Sequence, residues 1–194
     1  MVKSIGINKK EIAVFISGAG TNLKSLIKFS NLNKTNFIIK LIISNNVKAK
    51  GLIYAKKNKI KHQVVNYKNK GKAEKKILSL INKNKIKFIC LAGYMKIISS
   101  KFIKKFKGKI INIHPSILPK YKGLNTHSRV IKNKEKYSGF TIHLVNNKLD
   151  SGKIIFQKKI IILKIKTPKQ LQKKILKYEN KYYPIILSKY LSNL

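Results

Sequence analysis

Three short segments hold residues whose types and spacing could do chemistry. The first is Asn112-Ile-His-Pro-Ser-Ile-Leu-Pro119. Asn112 and His114 share parity at the end of an apolar run, so on a strand both side chains emerge on one side. An imidazole can give or take a proton near neutral pH, and a carboxamide can donate to a developing oxyanion. Pro115 and Pro119 would stiffen the loop that follows. Taken alone, the pair also fits a structural histidine beside an Asn turn. The second candidate is Asp150, the chain's lone aspartate, in Lys148-Leu-Asp-Ser-Gly152. Beside an imidazole it would raise that ring's pKa; without a partner it is an Asx-turn before Gly152. The third is Ser17-Gly18-Ala19-Gly20-Thr21-Asn22, between a strand and a helix. Such a loop brings backbone N–H groups and a helix N-terminus toward an anion, which suits a phosphate. It lacks the third glycine of the dinucleotide fingerprint and the Gly-Lys-Ser/Thr of a P-loop, and an ordinary βα turn reads the same way.

Other residues carry weaker signals. Met95, Lys96, Ile97 and Ile98 follow Gly93 and could line an apolar slot or join the core. His143 shares a strand face with Thr141, in a supporting or a liganding role, and His62 and His127 complete no metal-ligand spacing. Cys90 reads as a buried strand thiol. Glu179 lies on a helix, where glutamates are generally solvated.

The elements that must position these groups alternate in the α/β manner. Glu11–Ser17 reads as a buried strand, followed by a helix over about Asn22–Phe29. Phe37–Ser44 is a second strand, then a helix over about Ala49–Asn58 and a short strand at Gln63–Val65. Ala73, Ile77, Leu80 and Ile81 fall on one helix face. Phe88–Ala92 and Ile110–Ile113 are strands without alternation, as in a parallel sheet covered on both faces. Phe140–Val145 and Ile154–Ile162 have no clear helix between them, which predicts an antiparallel pair. Thr167-Pro168 is the N-cap and first turn of a C-terminal helix. Leu171, Ile175, Tyr178 and Tyr182 give that helix its apolar stripe, and Pro184 should kink or break it. The expectation is one Rossmann-like domain over 1–194, with a mixed sheet.

Composition narrows the class. The chain has 194 residues, 43% of them apolar, enough for one packed domain and short for two. No apolar run approaches the ~20 residues of a membrane span, and polar Met1–Lys10 is no signal peptide. With one cysteine there is no internal disulfide, and a reducing cytoplasm is expected. The net charge is +40, yet of 45 basic residues one alone, Arg129, is an arginine, and the lysines run evenly from Lys3 to Lys189. Nucleic-acid readers cluster their charge and use arginine for bidentate contacts. Lysine here accompanies isoleucine, asparagine, tyrosine and phenylalanine, all served by AT-rich codons. The charge is therefore read as compositional drift, with neither a specific nucleic acid nor a membrane as partner. A noncatalytic polyanion-binding protein is the alternative from a different class.

Taken together, the segments ISGAGTNL, LAGYMKIIS, NIHPSILPKYKGLNTH, HLV…LDSG and YENKYYPIIL resemble, in order and over nearly the whole chain, the phosphoribosylglycinamide formyltransferases, a folate-dependent family. The resemblance implies a Rossmann-like fold with a phosphate-loop half over about 11–100 and a catalytic and folate-site half over about 101–194. It implies formyl transfer from 10-formyltetrahydrofolate to the amine of glycinamide ribonucleotide, with no metal. It makes Asn112, His114 and Asp150 the catalytic trio, with Asp150 holding His114 cationic. Gly18, Ala19, Gly20, Thr21 and Asn22 would cradle the ribonucleotide phosphate with Lys109 as a positive partner, and Glu179 would hold the ribonucleotide. Met95, Lys96, Ile97 and Ile98, together with Asn146, Asn147, Lys148, Leu149 and Asp150, would line the pterin slot. Lys96 and Lys109 stand where the family pattern has arginine, Asn125 where the bacterial enzymes have histidine, and Ser151 where there is glycine. Methionyl-tRNA formyltransferase is similar in its core but adds a C-terminal domain, and formyltetrahydrofolate deformylase adds a regulatory domain in front; the chain's length is expected to favour the ribonucleotide enzyme. Oligomeric state is left open by the residues.

Overall fold

The computed structural model describes residues 9–33 and 35–194; residues 1–8 of the polar start lie outside the described residues. Five strands, β1 (Lys10–Ile16), β2 (Phe37–Ser44), β3 (His62–Val64), β4 (Phe88–Leu91) and β5 (Lys109–His114), run parallel. Strands β6 (Tyr137–Leu144) and β7 (Ile154–Ile161) extend the same sheet in antiparallel fashion. The sheet order is β3-β2-β1-β4-β5-β6-β7. The chain winds outward from β1 to β3, then returns to β4 on β1's other side. Open α/β sheets place their ligand crevice at that reversal, outside the strands' C-terminal ends.

Each sheet face is sealed by its own apolar set, which is why the central strands lack alternation. Ile12, Val14 and Ile16 of β1 pack with Leu23, Leu26 and Ile27 of α1 (Thr21–Ser30) and with Leu171, Ile175, Tyr183, Leu187 and Leu191 of α6 (Pro168–Ser192). Leu52 and Ala55 of α2 (Leu52–Lys57) join that cluster. Ala13 and Phe15 point the other way, onto Ala73, Ile77 and Ile81 of α3 (Lys70–Lys83) and Phe102 of α4 (Ser100–Lys105). Helix α5 (Thr126–Lys132) contributes Val130 to the first face.

The start of α6 is as expected: Thr167 Oγ1 accepts from Gln170 N, and Gln170 completes a capping box. Two expectations about that helix need correction. Of the expected kink or break at Pro184 the break does not occur, because buried Tyr183, Leu187 and Leu191 hold the turns on both sides of the proline. Its buried residues are Leu171, Ile175, Glu179, Tyr183, Pro184, Leu187 and Leu191. Tyr178 and Tyr182 flank them, and Tyr182 stacks on Phe156 of β7 at 5.6 Å. The hydroxyl of Tyr183 donates to the carbonyls of Leu91 and Ile111, both at 3.2 Å, tying α6 to the last residue of β4 and the middle of β5. Helix α2 is shorter than its expected span, and the short α4 and α5 were not anticipated.

Gly20 shows how closely the elements meet at the crevice. Its φ is 72°, and a Cβ there would lie 2.5 Å from the Cα of Gly51, the residue that caps α2. Gly51 N also donates to Gly18 O at 2.9 Å. We expect Gly20→Ala to lower the unfolding free energy by about 2 kcal/mol or more. Urea denaturation checks this, and an unchanged midpoint would show that the two loops are not in such tight contact.

Candidate active site

Asn112 and His114 occupy the second half of β5 and face the same side of the sheet, away from the Ile111 and Ile113 side chains that pack in the α1–α6 core. Antiparallel β6 sets His143 opposite Asn112 and Thr141 opposite His114. The loop after β6 folds back over this face and brings in Asp150, at φ 44°. Asp150 Oδ2 lies 3.3 Å from His114 Nδ1 and accepts from Gly123 N at 2.8 Å. Its Oδ1 accepts from Asn112 Nδ2 at 3.5 Å and lies 3.6 Å from His143 Nε2. His114 Nε2 is 2.8 Å from the Tyr121 carbonyl. The structure thus joins the three expected catalytic side chains.

The electrostatics depart from expectation. Burial pulls the His114 pKa below its ordinary value, with the Tyr121 carbonyl and Asp150 opposing it. Both ring nitrogens face acceptors, which favours the doubly protonated ring. The cation expected from Asp150 alone is therefore opposed by desolvation. Burial would raise Asp150, but its contacts with His143, the Gly123 N–H and the His114 ring outweigh that and hold the carboxyl low. His143 belongs to the same cluster. Its Nδ1 donates to Leu144 O at 2.8 Å, and its Nε2 lies 3.2 Å from Asn112 Nδ2 and 3.6 Å from Asp150 Oδ1. The Asn112 amide nitrogen thus faces both Asp150 and His143, and turning it to a substrate oxyanion means leaving one of them.

The loop Gly18–Asn22 leads into α1, whose N-terminus has no side-chain cap, and Gly18 and Ala19 are exposed. Two strand spacings separate β1 from β5, roughly 10 Å. Asn22 turns inward instead of lining the loop: its Nδ2 donates to Glu179 Oε2 at 3.0 Å. Glu179 is 6% exposed, and burial pushes its carboxyl up to about 7 against the Asn22 contact. These two residues, separate in the reading of the sequence, are partners at the root of the loop. Lys109 is a correction. It opens β5, paired with the first residue of β4, at the sheet edge opposite the crevice. Six residues of β5 put it about 16 Å from His114 along the strand, since a parallel strand carries its ends to opposite edges. It does not meet the phosphate-type loop.

Met95 and Ile97 are exposed, at 63% and 65%, on the loop after β4, and Leu149 is 50% exposed on the loop after β6. Tyr94, Ile98 and Val145 from the same two loops pack on one core cluster, so both loops flank one sheet face. Asn146 Oδ1 accepts from Lys148 N at 2.9 Å, shaping the turn that carries Asn147, Lys148 and Leu149. Met95 N donates to Ser17 Oγ at 2.7 Å, joining the β4 loop to the phosphate-type loop. A cleft of about 590 Å³ opens there, lined by Ser17, Asn45, Tyr67, Lys68, Met95 and Lys96. Lys96 stands over the Tyr67 ring at 5.9 Å. The reading of the sequence missed Glu74. It is buried on α3, accepts from Ser99 N at 2.8 Å and from Ser99 Oγ, and so anchors the far end of the Met95–Ile98 loop. A glutamate on an otherwise apolar helix face beside Ala73 and Ile77 was the available signal.

The doubly wound sheet, the buried imidazole–carboxylate–amide cluster and the anion-type loop define an α/β enzyme equipped for proton transfer and oxyanion stabilisation. Residues 10–187 match the formyl transferase family model, and the chain belongs to the formyl transferase family. It is 38% identical to the phosphoribosylglycinamide formyltransferase of Haemophilus influenzae, covering 92% of this chain and 85% of that one. It is 37% identical to the trifunctional purine biosynthetic protein adenosine-3 of Gallus gallus, but spans 18% of that protein. Among solved structures, the phosphoribosylglycinamide formyltransferase from Brucella melitensis superposes with a TM-score of 0.87 at 36% identity, over 94% of this chain and 95% of that one. The one from Bacillus halodurans superposes at 0.89 and 32% identity, over 94% and 96%.

Glu179 yields a pH prediction. Its carboxyl rises from an ordinary 4.5 to about 7 on folding. The native state then binds the proton more tightly, a contribution fully present below about pH 4.5 and lost as pH rises through about 7. The loss approaches about 3 kcal/mol at alkaline pH as an upper figure. Glu179→Gln keeps an acceptor for Asn22 and has no charge to bury. Its melting temperature should match the parent's at pH 5 and exceed it at pH 8; equal melting temperatures at both would contradict the shift.

Proposed function

We propose that this chain transfers the formyl group of 10-formyltetrahydrofolate to the amine of glycinamide ribonucleotide, giving formylglycinamide ribonucleotide and tetrahydrofolate in purine biosynthesis. The observation that carries this reading is the buried cluster in which Asp150 bridges His114 and Asn112, two strands from an uncapped helix N-terminus suited to a phosphate. The names of the relatives, two phosphoribosylglycinamide formyltransferases of known structure among them, support it.

In this reading the substrate amine attacks the formyl carbon, a C–N bond forms, and the carbonyl electrons move onto oxygen. Asn112 and His114 in its protonated form stabilise that oxyanion. Collapse breaks the bond to the folate nitrogen, which receives a proton while the new amide nitrogen loses one, through the site's acid–base groups or water. Asp150 orients His114 and favours its charged form against burial. Gly18–Thr21 receive the phosphate through backbone N–H groups, and Asn22 with Glu179 stands beside the ribonucleotide. Met95–Ile98 and Asn146–Asp150 flank the pterin. The chain acts as one functional domain, 11–100 supplying the phosphate loop and 101–194 the catalytic and folate groups, and both substrates are small molecules in the cytoplasm.

His114→Ala and Asp150→Asn should each lower kcat for formylation of glycinamide ribonucleotide by about 100-fold or more, with far-UV circular dichroism unchanged. Normal turnover in either folded variant would remove that residue from the mechanism.

A further inference from the structure

Tyr121 is held in a conformation its residue type disfavours. Its φ is 57°, the left-handed region, and it has a bulky side chain. Such a conformation is strained for a bulky residue and persists where its surroundings over-determine it. Its carbonyl is the partner of His114 Nε2 at 2.8 Å, so Tyr121's backbone angle sets where one end of the imidazole is held. Two residues on, Gly123 N holds Asp150.

The contacts that fix this segment come from α5 and the turn after it. Arg129 lies over the Tyr121 ring at 5.3 Å and donates through a guanidinium nitrogen to the Lys122 carbonyl at 2.7 Å. The Tyr121 hydroxyl donates to Glu135 Oε1 at 2.8 Å and accepts from Asn133 Nδ2 at 2.9 Å. Composition makes this placement informative. Of 45 basic residues one is an arginine, and of the five acidic residues one is Glu135. Elsewhere lysine serves every basic position. Here a planar group must stack on a ring and direct an N–H to a carbonyl at once, which an ammonium does poorly.

We infer that Arg129, with Glu135 and Asn133, is a positioning clamp on Tyr121 that orients His114 for formyl transfer. Arg129 itself touches no reacting atom. The clamp rests on the reading of His114 as the catalytic imidazole, so the test keeps the two apart.

Steady-state kinetics of Arg129→Lys, Arg129→Gln and Tyr121→Phe, each paired with ¹⁵N NMR of the histidine rings, test the clamp. His114→Ala is the control for the catalytic assignment, and Lys132→Met, an exposed site on the same helix, is the control for surface charge. Arg129→Lys should lose about tenfold in kcat with KM for both substrates within about twofold, because orientation is lost and binding is not. Its His114 ring-nitrogen resonances should shift. Arg129→Gln, which keeps a planar donor, should recover part of the loss, and Tyr121→Phe should reproduce the ring shift. Wild-type kcat in Arg129→Lys, or a lowered kcat with unmoved His114 resonances, would overturn the clamp. Turnover surviving in His114→Ala would instead overturn the catalytic reading beneath it.

Discussion

Asp150 places a carboxylate where four groups need it. One oxygen meets the His114 imidazole and the Gly123 N–H; the other meets Asn112 and lies beside His143. A carboxylate taken this far out of water is costly unless its oxygens are satisfied, and here the satisfying groups come from β5, from β6 and from the loop after His114. The same contact therefore orders both loops over the sheet face. Lys122 Nζ to Ser151 Oγ at 2.5 Å is a second tie between them. Without Asp150 the imidazole loses an acceptor, the Gly123 segment loses its anchor and Asn112 loses one of its two partners.

The sheet makes this convergence possible. Parallel β5 delivers Asn112 and His114 at one edge, and the switch to antiparallel β6 brings His143 alongside them. Acidic residues are scarce, yet four of the five stand at groups around the crevice: Asp150 at His114, Glu135 at Tyr121, Glu74 at Ser99 and Glu179 at Asn22. The fifth, Glu11, pairs with Lys40 on the surface. In a chain of charge +40, the few carboxylates thus stand mostly at specific hydrogen-bonded contacts. The same excess of positive charge favours approach of anionic substrates, and salt screens it.

Much of this was legible in the sequence. Phe37–Ser44 was readable as a strand to the residue, because an unbroken apolar run between turn residues has few other fates. Thr167-Pro168 announced α6, and the shared parity of Asn112 and His114 placed them together. What could not be read depends on three-dimensional neighbours. Helices α4 and α5 have six and seven residues, too short to show a period. Lys109 fitted a motif position, but strand direction carries it to the far edge of the sheet. Pro184 breaks helices in isolation, whereas packing on both sides carries α6 through it. The pairing of Asn22 with Glu179 spans 157 residues, and no local pattern encodes it. The depressed His114 pKa follows from burial, which only the folded chain defines.

The donor and the acceptor of the formyl group are tested together. Purified protein incubated with 10-formyltetrahydrofolate labelled with ¹³C in the formyl group, and with glycinamide ribonucleotide, formyl-acceptor tRNA or water alone, measures both most directly. Label is expected in formylglycinamide ribonucleotide, absent from tRNA and not released as formate. Label transferred to tRNA alone, or released as formate whichever acceptor is present, would contradict formyl transfer to glycinamide ribonucleotide.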